Sequence, residues 1–281
     1  MKQLIYIFLS TCLLYSCIKP DYEFENYESK IVIDGWIENG KFPKVLLTRS
    51  AAYFSEIDSA SIRDYVLTTA RVEVSDGENT EVLTLRPNNA YFPPYVYVAT
   101  KLKGEAGKTY QLKVNYYDLE ATATTTIPEP VTLDSSWFEL KENSDSFGFI
   151  WLKFTDDIAT KNYYRTLTKV QSKDDKYIAN FFPNFNDKFF NGQDIEIALY
   201  KGNKSSTDKQ DELNYMLGDT ISLMFTVIDE QSYEFWNTFH KEITNAGNPF
   251  AATNARVKSN VKNGLGIWCG YGSNYYRIIA N

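Results

Sequence analysis

Along residues 31–127 apolar and polar side chains trade places at short intervals, and the runs 31–38, 44–50, 70–75, 80–85, 95–100, 108–117 and 119–127 are bounded by turn-forming residues. This is the pattern of short β-strands joined by tight turns. In the clearest run Tyr110, Leu112, Val114 and Tyr116 alternate with Gln111, Lys113 and Asn115. A period of two puts the first set on one face and the second on the other, so one face is buried and the other is wet. Asp76-Gly77 stands between two such runs, where glycine meets the positive-φ demand of a hairpin turn. The series predicts an immunoglobulin-like β-sandwich over residues 30–128.

Ile127-Pro128-Glu129-Pro130 ends that series. Two prolines remove two ladder donors and hold the residues before them extended, so a boundary is expected here, with a second β-rich part over 131–281. Strands are expected at 146–154, 163–170 and 195–200, and the nearly continuous apolar run 220–228 reads as a central strand covered on both faces. The period then changes. Phe235, Trp236, Phe239 and Ile243 recur at spacings of three and four within 229–244, which predicts an amphipathic helix with Asp229 as N-cap and Gly247 beyond its end. The tail from Ile267 supplies one or two closing strands. The fold class is therefore mainly β, in two parts, with one helix near the C-terminus.

Composition sharpens this picture. The 281 residues include 21 Tyr, 18 Phe and 5 Trp, residue types that suit half-buried pleated surfaces. With 29 basic against 36 acidic residues the net charge is −7, which argues against a nucleic-acid partner, since such binding rests on clustered cations.

The first residues carry a different signal. Lys2 precedes an apolar run over 4–14, too short to span a bilayer, and Leu14-Tyr15-Ser16-Cys17 follows. The tetrad resembles a bacterial lipobox, with residues 1–16 as signal peptide and Cys17 as the lipid-bearing residue. Acyl chains on Cys17 would hold the chain at a membrane, each buried CH₂ adding about 0.8 kcal/mol. Residues 17–29 hold Asp21, Glu23, Glu25 and Glu28 and read as an acidic tether. Acidic residues at this place also resemble the surface-export signal of some Gram-negative lipoproteins, so outer-membrane attachment is expected, facing the cell surface rather than the periplasm. Cys12 leaves with the signal and Cys17 takes lipid, which leaves Cys269 without a partner for a disulfide.

No catalytic constellation is visible, so the chain is not read as an enzyme, and no cofactor or metal is expected. His240 is the single imidazole, which excludes a multi-histidine zinc site. Cys269, within Trp268-Cys269-Gly270-Tyr271, reads as an inert buried thiol. Asp34 and Asp156-Asp157 are noticeable acids in or beside strands, where carboxylates usually cap backbone donors. The stretch 184–194 offers Asn184, Asn186, Asp187, Asn191 and Asp194 to calcium but lacks the ordered EF-hand pattern. The same region holds Phe181, Phe182, Phe185, Phe189 and Phe190 around Pro183, a pattern of neither helix nor plain strand. As a loop it could present an aromatic surface to a ligand or partner, or fold back as satellite core.

Several segments together carry a family resemblance. Ile33-Asp34-Gly35-Trp36-Ile37, PKVLLTRS at 43–50, ARVEVSDG at 70–77, Gly107-Lys108-Thr109-Tyr110, Asn162-Tyr163-Tyr164-Arg165, Gly247-Asn248-Pro249-Phe250 and SNVKNGLG at 259–266 resemble the lipoproteins of the domain of unknown function 4249 family. Asn263 stands where a glycine is common and Ala252 where a proline is common. The resemblance implies an outer-membrane lipoprotein often encoded beside TonB-dependent transporters, and it supplies no catalytic residues. The expected function is a lipid-anchored binding or accessory protein of a TonB-dependent nutrient transporter, with that barrel protein as partner and a glycan or peptide as possible ligand. The alternatives are a structural or adhesive cell-surface protein and a carboxylate-based glycan or peptide hydrolase.

Overall fold

A computed structural model describes residues 27–51, 61–202, 213–245 and 256–281. The signal peptide at 1–16, Cys17, most of the acidic tether, Gly247 and the motif at 247–250 lie outside the described residues.

The molecule is organised around one long strand, β17 (Gly264–Ile279). Its first half runs parallel to β1 (Ile31–Glu38), from Ile31 opposite Gly264 to Glu38 opposite Tyr271. Its second half runs antiparallel to β15 (Thr220–Ile228), from Ile228 opposite Tyr271 to Thr220 opposite Ile279. Beyond β1 follow β2 (Lys44–Arg49), β6 (Tyr95–Val98) and β5 (Thr84–Pro87); beyond β15 follow β11 (Tyr163–Val170) and β12 (Ile178–Asn186). These eight strands form one sheet in the order β12-β11-β15-β17-β1-β2-β6-β5.

Two smaller sheets cover one face of it. The five-stranded sheet joins β16 (Val261–Lys262), β8 (Leu119–Thr126), β7 (Thr109–Tyr116), β3 (Arg71–Ser75) and β4 (Thr80–Val82). Its Val72, Leu112, Val114 and Ala121 pack on Ile33, Ile37, Val45 and Trp268 of the large sheet. The second sheet joins β13 (Asp194–Leu199), β10 (Phe147–Thr155) and β14 (Tyr215–Met216), with β9 (Ser135–Leu140) also paired to β10. Its Ile150, Leu152 and Phe154 pack on Tyr164, Leu223, Phe225 and Ile278. Trp268 and Ile278 are both even positions of β17, so both cores lie on the same side of the large sheet. The odd positions Ile267, Cys269 and Tyr271 point to the opposite side, where α1 (Glu230–Asn245) packs Phe235 against them. Asp229 caps this helix as expected, its carboxylate accepting from the backbone N–H of Ser232 at 2.7 Å.

The structure departs from the sequence pattern in three places. The run 80–85 divides, because buried Leu83 carries the chain from β4 in the small sheet to β5 in the large one. The phenylalanine-rich segment is not a loop: residues 178–186 form β12, and Pro183 is tolerated because β12 is an edge strand with a register shift against β11. The boundary expected at 128–131 does lie between the two small sheets, but the large sheet runs across it. The chain at 126–128 lies directly on β17, where Gly270 and Gly272 leave room. A Cβ at Gly272 would stand 2.1 Å from the Pro128 carbonyl oxygen, and one at Gly270 2.5 Å from that of Thr126. The two parts thus share a sheet rather than standing apart.

Candidate functional site

The strands that bury Ile33 and Ile37 on one face turn Asp34, Trp36 and Glu38 to the other, and the same alternation on β11 points Arg165, Leu167 and Lys169 to that side. These residues, with Met224, Tyr271 and Tyr275 of β15 and β17, floor a groove of about 790 Å³. Trp236 of α1 closes one flank, while Tyr91, Phe92 and Tyr177 belong to segments that rise beside it. A further hollow of about 750 Å³ adjoins it through Tyr91, Phe92 and Tyr177. Two other clefts, of about 670 and 660 Å³, are lined by surface residues whose charges are already engaged, such as Lys258 with Glu234 and Glu81 with the backbone of 100–102.

Arg165 is the unusual group. It is 5% exposed, and its guanidinium stacks 4.0 Å from the centre of the Trp236 ring. Nη1 donates to Oδ1 of Asn184 at 2.6 Å, while Nε has no acceptor among the described residues. Burial lowers its pKa, opposed by the nearby Tyr271 hydroxyl and by Asp34. Asp34 is open to solvent in the groove floor yet ringed by protein. That setting penalises its charge and raises its pKa, and Arg165 offsets part of the rise. Water reaching the carboxylate keeps the effect modest.

The aromatic wall is built in pairs. Trp36 and Tyr91 meet at 5.8 Å between ring centres, with Lys44 at 6.0 Å from each, and Tyr177 meets Tyr275 at 5.9 Å. Tyr275 donates to the buried Glu38 carboxylate, which also pairs with Lys41 at 2.8 Å. Burial, then the Glu38 charge, raises the Tyr275 hydroxyl pKa.

These groups do not make a glycosidase pair. Asp34 and Glu38 are four residues apart on one strand, or about 13 Å at ~3.3 Å per residue, beyond the roughly 5–9.5 Å that such chemistry needs. Glu38 is also engaged by Lys41 and Tyr275. The arrangement is suited to binding.

The five phenylalanines are not brought together as one surface. Phe185 stacks on Tyr164 at 5.2 Å and Phe190 meets Phe154 at 6.3 Å, both packing on the second core. Phe182 and Phe189 are 69% and 85% exposed, and Phe181 leans edge-on against Phe182. Four of the five candidate calcium ligands are used internally, and Asn191 is exposed. Asn184 accepts from Arg165, Asn186 caps Lys188, buried Asp187 accepts from the Asn162 backbone at 2.6 Å, and Asp194 accepts from Thr155. Among the described residues no three His, Cys, Asp or Glu side chains converge to hold a metal. Asp156 accepts from Tyr164, Asn162 and the Gly192 backbone, and Asp157 from that of Ala159. Burial pushes the Cys269 thiol up to about 12, and burial lowers the His240 pKa.

Arg165 and the aromatic pairs were missed because their partners are far away in sequence. The one available signal was an arginine directly after Tyr163-Tyr164 in a run that reads as a strand.

The family described as "Domain of unknown function (DUF4249)" matches residues 19–277, a span that includes every residue of the groove. The chain belongs to this family. No curated protein matches it. Among the described residues no helix is long and apolar enough to cross a membrane.

Proposed function

We propose that this chain is a lipid-anchored binding protein of the outer membrane, held at the cell surface through Cys17, that takes a ligand in the groove and serves as accessory to a TonB-dependent nutrient transporter. The groove carries the reading. A concave floor with a buried, incompletely partnered arginine and paired aromatic walls has the size and chemistry of a small-molecule site. The anchor is supported by Leu14-Tyr15-Ser16-Cys17, and the transporter by the family resemblance. The test is co-purification of the full chain from detergent-solubilised outer membranes. Recovery of a barrel protein with the native chain, and release of a Cys17→Ala variant into the soluble fraction, is the expected result. Repeated recovery of the chain alone overturns the accessory role, and a Cys17→Ala chain that stays in the membrane overturns the anchor.

A further inference from the structure

The groove is positively charged in a chain that is not. Arg165, Lys41, Lys44, Lys169 and Lys176 line it against Asp34, Glu38 and Asp175, while the whole sequence is −7. Only Lys41 has a carboxylate partner among the described residues, in Glu38. Lys169 reaches the backbone carbonyl of Asp175 at 3.1 Å, and Lys44 the Tyr91 hydroxyl at 3.4 Å. Arg165 is nine-tenths buried with a neutral acceptor on Nη1 and none on Nε. Asp34 is near enough to act on this guanidinium but makes no ion pair with it; a buried guanidinium without a carboxylate in contact is costly to hold, and an anion entering beside it reduces that cost.

Resting on the reading of this groove as the ligand site, we infer that its ligand is an acid: a carboxylate on a six-membered ring with an apolar face, the charge toward Arg165 and the ring against the aromatic side chains. A planar carboxylate matches one edge of a guanidinium fork. The groove lacks the backbone donors that phosphate sites commonly use, since its floor is sheet with its N–H groups committed to ladders; its cations are Arg165 and side-chain ammonium groups. Trp36, Tyr91 and Tyr177 supply ring surface in the lining, while Lys41 lies over the Tyr275 ring, 3.8 Å from its centre. The ring can be that of a sugar acid or an aromatic acid, since both carry the same charge beside a face that stacks on aromatic side chains, C–H groups in the first and a π face in the second.

Calorimetric titration of the full chain in detergent separates these cases, using trigalacturonate, its neutral counterpart galactotriose, and 2-naphthoate. Binding of at least one acid is expected, about tenfold or more tighter than galactotriose, and weakened as NaCl rises from about 50 to about 500 mM. The acid that binds identifies the source. Arg165→Met removes the charge and is expected to melt no lower than the native chain while losing acid binding by about tenfold or more. Should it fail to fold, Arg165→Lys keeps the charge without the fork and is expected to bind several-fold more weakly. Equal binding of acid and neutral sugar, unaltered acid binding in a folded Arg165 variant, competition by inorganic phosphate as strong as that by acetate, or no binding of either acid up to about 10 mM overturns the inference. Equal binding that Trp36→Ala abolishes leaves the groove reading standing, whereas binding indifferent to both Trp36→Ala and Arg165 replacement removes that reading as well.

Discussion

The two faces of the eight-stranded sheet come from the same strands, one residue out of step, and they differ in kind. Toward the small sheets β1 presents Ile31, Ile33 and Ile37 and β17 presents Trp268, all within a dry core. Toward the groove the same strands present Asp34, Trp36, Glu38, Tyr271 and Tyr275. The inner face is filled by shape alone, and even its tryptophan meets its hydrogen-bond need, through the Tyr110 carbonyl at 3.1 Å. The outer face keeps unpaired charge and open volume, which a protein selected only for stability would replace with apolar contact. A period of two therefore separates what holds the molecule together from what it presents.

The largest effect that could break this division lies on the inner face. Trp268→Ala should cost about 3–5 kcal/mol, read from denaturant midpoints, because it empties a fully buried indole. A loss below about 1 kcal/mol would mean that the inner face is not the stabilising one. Next come the phenylalanines of the second core's rim. Phe185→Ala should cost about 2 kcal/mol, less than full burial would give, whereas Phe189→Ala should stay within about 0.5 kcal/mol. Equal losses in thermal melts would restore the idea of one concerted aromatic surface. On the outer face Tyr275→Phe should cost only about 1 kcal/mol, since Glu38 keeps Lys41.

The smallest effect is pH-dependent. The folded state raises the Asp34 pKa, so it holds that proton more tightly than the unfolded chain, and the ionised carboxylate opposes folding. The penalty is absent below the ordinary value of 3.8 and complete once pH exceeds the raised one. Asp34→Asn should therefore melt slightly above the native chain at pH 7, with the gain fading as pH falls toward 4. A gain that grows on acidification would place Asp34 in a charge-stabilising contact instead.

Much of the inner face was legible in sequence because its information is local. The alternation at 110–116 gave β7, the apolar run at 220–228 matches β15, and Asp229 announced α1. The groove was not legible, since Asp34, Arg165 and Trp236 are neighbours only through sheet register and helix packing. Periodicity says which face a residue is on and nothing about which strand lies beside it. The phenylalanine segment misled for a related reason: Pro183 breaks a central strand but not an edge strand, and sequence alone does not mark the edge.

The place of β17 in the chain has a consequence for the order of events. It follows every other strand among the described residues, yet both cores rest on it, one through Trp268 and the other through Ile278. Without residues 264–279, β1 and β15 each lack the neighbour that joins them, and β1 reaches that neighbour across more than two hundred residues of chain. Closing the large sheet is thus a non-local event, slower to reach than the β7–β8 pairing, whose two strands are joined by a tight turn.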